Sequence, residues 1–275
     1  MADLNNIHEL DLAFDKVSEV YHSAAVISFN PKDDRSMFKT NIEGTGNIVN
    51  LCIDNHIRKL CFVSSVAAID KAPETQFYDE SGTWDVAQNN YGYAISKHGG
   101  EMEVWRASAE GIPVVIVNPG VILGPGFWNS GPGAIFPKVY KGIRFFTEGI
   151  TGYVGVNDVV KIMIQLMEGP IHSERFILVS ENRSFKEVLF LIADAMNKKR
   201  PSIKVTPFMT SIGWRVAKLI SWITQKPALL SKRSSKALHS NVSYSTAKIK
   251  NALGYEFEPL KKTISDVCKI YVANH

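Results

Sequence analysis

Lys59-Leu60-Cys61-Phe62-Val63-Ser64-Ser65-Val66 is an apolar, β-rich run that ends in two hydroxyls. A short run of this kind reads as a buried strand. Two similar runs flank it. Upstream, Glu19-Val20-Tyr21-His22-Ser23-Ala24-Ala25-Val26 closes on small residues that let a ligand approach the backbone. Downstream, Val114-Val115-Ile116-Val117-Asn118-Pro119 leads into a Pro/Gly loop that reaches Gly126. The spacing predicts strands at 18–26, 59–65 and 112–118, and helices near 6–16, 33–56 and 91–110. Strands alternating with helices of that length imply a parallel sheet with right-handed crossovers. Ligands of open α/β sheets bind beyond the carboxyl ends of the strands, which is where Ser65 emerges.

Beyond Gly126 the alternation loosens. A helix near 134–141, an extended piece at 144–146, a helix over 157–167 and a strand at 174–180 are expected. Ser184, with Glu187 three residues on, forms a capping box that opens a helix to about 198. Ile212, Val216, Leu219, Ile220 and Ile223 mark one helix face, with Trp214, Arg215, Lys218, Trp222 and Lys226 around it. Such a stripe packs on its own domain or lies on a membrane surface.

Tyr93-Ala94-Ile95-Ser96-Lys97 places a phenol and an ammonium on one helix face, one turn apart. A cation held over Tyr93 favours tyrosinate and is expected to bring the phenol's pKa down toward neutrality. That would make it a proton donor and acceptor at ordinary pH.

Composition removes several alternatives. A hydrophobic content of 45% supplies a sizeable core and excludes a disordered chain. No apolar run approaches the length of a membrane span. Cys52, Cys61 and Cys268 lack metal-ligand spacing, so a reduced, cytoplasmic protein is expected. The net charge of +4 is unevenly spread: residues 198–262 hold 14 Lys/Arg against Glu256 and Glu258, or +12, residues 263–275 sum to zero, and residues 1–197 carry −8. That basic half shows neither zinc spacing nor an aromatic RNA-binding motif, so nucleic acid is not expected as a partner. It leaves room for weak contact with a membrane surface, and a homo-oligomer stays open.

Taken together, Tyr21-His22-Ser23-Ala24-Ala25, Asn41-Ile42-Glu43-Gly44-Thr45, Phe62-Val63-Ser64-Ser65, Tyr93 to Lys97, Asn118-Pro119-Gly120-Val121-Ile122-Leu123-Gly124-Pro125 and Gly152-Tyr153-Val154-Gly155-Val156-Asn157-Asp158-Val159 run in one order over roughly residues 1–180. In this the chain resembles the extended short-chain dehydrogenases/reductases. The likeness is strongest to the branch of dihydroflavonol reductases, cinnamoyl-CoA reductases and 3β-hydroxysteroid dehydrogenases. The resemblance implies an α/β fold: a partial Rossmann-type, doubly wound parallel sheet over 1–180, with a substrate-side insert at about 124–150, and a smaller, mostly helical substrate-binding subdomain over 181–275. It implies NAD or NADP as cofactor and hydride transfer to or from a carbonyl or alcohol of a small or hydrophobic substrate.

In that scheme Tyr93 donates or accepts the proton, and Lys97 lowers its pKa and holds the nicotinamide ribose. Ser65, preferred over Ser64, holds the substrate oxygen. Asp3 and Leu4 contact adenine. Ala24, Ala25 and Val26 present backbone to the cofactor, and Pro119, Gly120 and Val121 face the nicotinamide. Asn118, Phe127 and Trp128 line the substrate, although Asn118 can equally brace its loop. His22 is a structural strand-end residue.

Two departures from the family matter. Thr151 and Gly152 stand where nucleotide-sugar epimerases carry Arg-Asp, and Val66-Ala67 stand where sugar dehydratases carry Asp-Glu, which disfavours the alternative of a nucleotide-sugar epimerase or dehydratase. The family's Gly-rich phosphate turn is also missing from these residues. By the resemblance the chain opens near the end of the third strand and looks N-terminally truncated. A non-catalytic remnant is therefore a further alternative.

Overall fold

The computed structural model describes residues 2–28, 30–70, 77–85, 91–224, 235 and 237–275, and for 216–224 it describes the backbone alone. In chain order the elements are α1 (Ile7–Ala13), β1 (Glu19–His22), α2 (Asp34–Phe38), a π-helical turn (Lys39–Glu43), α3 (Gly44–Asp54), β2 (Lys59–Val63), α4 (Gly92–Ala109) and β3 (Val114–Pro119). There follow β4 (Val121–Leu123), α5 (Ile135–Tyr140), β5 (Phe145–Phe146), β6 (Ile150–Gly155), α6 (Val156–Glu168), β7 (Glu174–Leu178) and β8 (Glu181–Ser184). The chain ends with α7 (Phe185–Ala195), β9 (Ile203–Lys204), α8 (Pro207–Thr224), α9 (Ala247–Leu253) and α10 (Leu260–Ala273).

Two compact units share this chain. The first comprises Met1–Pro119, Val160–Leu178 and Thr246–Gly254, and the second Gly120–Val159, Val179–Ser245 and Tyr255–His275. The boundary expected near residue 180 lies beside one of the points where the chain passes between them.

The first unit is built on a parallel sheet in the order β1-β2-β3-β7. Both faces of its central strands are covered, which explains their unbroken apolar sequence. Leu60, Phe62, Val114 and Ile116 point into one core, with Leu10 of α1 and Phe14 at its C-terminal cap, Ile48, Val49 and Cys52 of α3, and Val104 and Ala107 of α4. Lys59 is also buried, and its Nζ donates to the carbonyls of Leu166 (2.5 Å) and Gly169 (2.9 Å). A cation there answers the unpaired carbonyls at the end of α6.

The second unit holds a three-stranded sheet, β4-β6-β8, parallel between β4 and β6 and antiparallel between β6 and β8. Its core gathers Leu123, Phe136, Tyr153, Val188, Ile192, Leu260, Ile264 and Tyr271. Ser184 caps α7 reciprocally with Glu187, as expected from the capping box.

Some expected bounds shift. The strand at 18–26 ends at His22, because Val26 bonds its backbone to the Asn41 side chain instead of to a neighbouring strand. The strand at 59–65 ends at Val63, since Ser65 turns to cap a short helical turn through Ala67 N–H. The long helix at 33–56 is interrupted by the π turn. Side chains of the stripe from Val216 to Ile223, and Lys226 beyond it, lie outside the described residues. Among those described, no helix is long and apolar enough to cross a membrane.

Ile116 is wholly buried in the middle of the sheet. Ile116→Ala is expected to cost about 3 kcal/mol through lost burial and a residual cavity, read as a lower urea midpoint. A loss under about 1 kcal/mol would show that the surroundings collapse into the space.

Candidate active site

The polar ends of β1, β2 and β3 and the first half of α4 all belong to the first unit. α4 begins after Tyr91 and carries Tyr93, Lys97 and Glu101 at successive four-residue steps, hence on one face. Small residues let it sit close to its neighbours. A Cβ on Gly100 would stand 2.9 Å from the Asn41 carbonyl oxygen and 3.1 Å from the Phe62 ring.

Ser65 and Tyr93 are brought together by a hydrogen bond between their side chains. Ser64, by contrast, is buried, with its N–H donating to the Val117 carbonyl at 2.8 Å. Lys97 is 3% exposed. Its Nζ donates to the Val63 carbonyl at 2.7 Å and stands 4.8 Å from the Phe62 ring centroid. Burial brings its pKa down to about 8, opposed by the negative charge of Glu101. At neutral pH it is therefore largely an ammonium.

One expectation is corrected. The Tyr93 phenol is raised above its ordinary value, because burial outweighs the lowering hydrogen bond from Ser65. In this state the phenol holds its proton at neutral pH.

A second network fixes where α4 sits. Asn41, in the π turn, accepts from Val26 N–H and donates to the Val26 carbonyl, both at 2.8 Å, and donates to Ser96 Oγ at 3.0 Å. Ser96 in turn donates to the Tyr93 carbonyl at 2.8 Å. Thr45 donates to the Asn41 carbonyl at 2.7 Å, and His22 Nε2 lies 2.9 Å from Thr45 Oγ1. Burial, helped by Lys97, lowers His22 to about 4, so it stays neutral.

The remaining expected residues fall as follows. Ala24 and Ala25 are exposed after β1, whereas both backbone polar groups of Val26 are taken by Asn41 and are not free for a cofactor. Asp3 is exposed and accepts from Asn5, while Leu4 packs on the first core. Asn118 is wholly buried, donating to the Ser65 carbonyl at 3.0 Å and to Glu101 Oε1 at 2.5 Å. It braces the strand end and has no surface left to line a substrate. Pro119 is buried at the tip of β3.

Gly120, Val121, Phe127 and Trp128 belong to the second unit. A Cβ on Gly120 would come within 2.4 Å of the Gly152 carbonyl oxygen, so only glycine fits there. Trp128 packs edge-on against Phe136 and Tyr271, in the second core, and Phe127 is 80% exposed. Asn41 and Ser96 lie inside motifs of the resemblance but were given no role of their own, and Glu101 was not named, although it stands one four-residue step from Lys97. Among the described residues, no group of three or more His, Cys, Asp or Glu could hold a metal.

Residues 6–166 match the NAD-binding family described as "Male sterility protein". Sterol demethylase protein B of Methylococcus capsulatus is 26% identical over 74% of this chain and 63% of its own length. A putative dihydroflavonol 4-reductase of Synechocystis is 26% identical over 90% of this chain and 74% of its own length. Cinnamoyl-CoA reductase 1 of Arabidopsis thaliana is 26% identical, with 70% of this chain matching 58% of it. The chain thus spans less than two thirds of two of these three relatives. Among solved structures, gox2253 superposes with a TM-score of 0.83 at 23% identity, covering 99% of this chain and 84% of that one. The UDP-glucose 4-epimerase of Thermotoga maritima gives 0.78 at 16% identity, covering 99% and 84%.

His22 carries a pH prediction. Folded, it binds a proton only near pH 4, whereas unfolded it does so near its ordinary 6.5. Acid therefore favours the unfolded chain, and stability falls as pH drops from about 6.5 toward 4. Between pH 7 and pH 5 the parent should lose about 2 kcal/mol more than His22→Gln in urea unfolding. Equal losses in the two proteins would refute this role for His22.

Proposed function

This chain belongs to the extended short-chain dehydrogenase/reductase family, and we propose that it is an NAD(P)-dependent oxidoreductase acting on a carbonyl or alcohol of a small or hydrophobic substrate. The observation that supports this reading is that Ser65 hydrogen-bonds Tyr93 while Lys97, one helical turn on, donates to the Val63 carbonyl at the carboxyl end of β2 in a parallel sheet. The same end of the sheet fits a dinucleotide. Residues 23–27 run exposed past β1, with small Ala24 and Ala25 and the apolar Val26 and Ile27 open at 38% and 61%. Ala24 and Ala25 would lie against the cofactor, and Lys97 would reach its ribose. When bound, the nicotinamide supplies the hydride.

The chain's own residues supply position and the proton. In reduction Ser65 holds the substrate oxygen beside the phenol, and Tyr93, protonated at neutral pH, passes its proton to that oxygen. The Tyr93 anion left behind is met by the Ser65 hydroxyl and by the field of the Lys97 ammonium. Oxidation runs the same transfer backward. In this reading Thr151 and Gly152 argue against a diphosphate-bearing substrate, because neither side chain can make a bidentate phosphate contact.

Tyr93→Phe should cut turnover of an aldehyde or ketone by at least about a hundredfold, followed by loss of NADH or NADPH absorbance, with the circular dichroism spectrum unchanged. Lys97→Met should act similarly and also weaken cofactor binding. Retention of more than half the activity in Tyr93→Phe would remove Tyr93 as the proton donor.

A further inference from the structure

One buried acid has no part in that reaction. Glu101 is 1% exposed, one helical turn beyond Lys97 on the face that carries Tyr93. Its Oε1 accepts from Asn118 Nδ2 at 2.5 Å, and the same amide donates to the Ser65 carbonyl at 3.0 Å. Its Oε2 lies 3.6 Å from Arg175 Nη1, on β7. That guanidinium is already committed elsewhere: it donates to the carbonyls of Glu80 and Gly82, both at 2.7 Å. A carboxylate taken out of water persists only where cations and donors answer it. Here the answering groups come from three elements, β3, β7 and α4 itself.

We propose that Glu101 is a positioning residue for the Ser65–Tyr93–Lys97 centre, its carboxylate keeping the buried Lys97 charged and, through Asn118, fixing the main chain of Ser65. The proposal rests on the reading of those three residues as the reaction centre. Lys97 meets few other charges. His22 from β1 is neutral, the π turn and α3 offer the uncharged Asn41 and Thr45, and Asp34 of α2 stands at Gly92, at the start of the helix. Among the described residues, Glu101 is the charge that favours the Lys97 ammonium against the pull of burial. Burial raises Glu101 in turn, and Ser64, Asn118, Arg175 and Lys97 offset only part of that rise.

The test titrates Lys97 itself, without cofactor or substrate. In protein labelled with ¹³C-lysine, the Lys97 ε-carbon signal is assigned by its loss in Lys97→Met and followed against pH. Glu101→Gln keeps an acceptor for Asn118 while removing the charge. Its Lys97 midpoint should fall by about one pH unit or more below the parent's, and Glu101→Asp should bring it back toward the parent. Should Glu101→Gln fail to fold, Arg175→Gln serves instead. With a competing cation removed, the Lys97 midpoint should rise.

In the active protein, the alkaline limb of the kcat profile should move with the Lys97 midpoint, an effect that mere loosening of the fold would not produce. A Lys97 midpoint that stays within about 0.3 pH unit of the parent's in the folded variant overturns the proposal, even if Tyr93→Phe is inactive. A shifted midpoint with full activity in Tyr93→Phe would instead overturn the reaction-centre reading on which the proposal stands.

Discussion

A buried ammonium organises this part of the molecule. Taking Lys97 out of water is costly unless dipoles and opposite charge replace its hydration, and the surrounding elements do so from several directions. The end of β2 turns the Val63 carbonyl toward Nζ, and the Phe62 ring lies beneath it. Glu101 supplies negative charge from the next turn, and His22 stays uncharged nearby. None of this is reachable unless α4 comes very close to the strands and to the π turn, which Gly99 and Gly100, two and three residues after Lys97, permit.

Two asparagines do the bracing. Asn41 joins the loop after β1 to α4 at Ser96, and Asn118 joins the residues after β2 to the same helix at Glu101. A neutral amide can donate and accept at once, so it ties separate elements together without bringing another buried charge. Through these two side chains the segments bearing Val26, Ser65 and Tyr93 are tied to one helix.

Much of this was legible in the sequence, for identifiable reasons. The parallel sheet announced itself because doubly covered strands are continuously apolar, and Tyr93 and Lys97 because their spacing matches one helical turn. Ser65 was legible as the polar tip of such a strand. What escaped was whatever depends on burial or on partners distant in the chain. The upward shift of Tyr93 follows from how deeply the phenol sits, which spacing does not encode. Asn118 reads as a strand-end residue that lines the substrate or braces its loop until its partner, Glu101, is seen at its side. The β4-β6-β8 sheet eluded the reading because β4 is only three residues long and β6 carries a glycine, Gly152, packed against Val179. Helix α10 lies beyond the stretch over which the family resemblance runs, and nothing in its flanks marked a start.

The interleaving of the two units has a bearing on how the chain acquires its shape during synthesis. Strand β7 and helix α9, residues 174–178 and 247–253, both belong to the first unit, with β1, β2 and β3. A nascent chain leaving the ribosome with β1, β2 and β3 already formed must therefore wait for more than fifty further residues before β7 can cover its sheet edge, and for more than a hundred before α9 docks. Contacts of such long sequence separation slow folding and leave apolar strands uncovered meanwhile. Translation pace and chaperone capture between Pro119 and Glu174 thus become determinants of yield, independent of how stable the finished protein is.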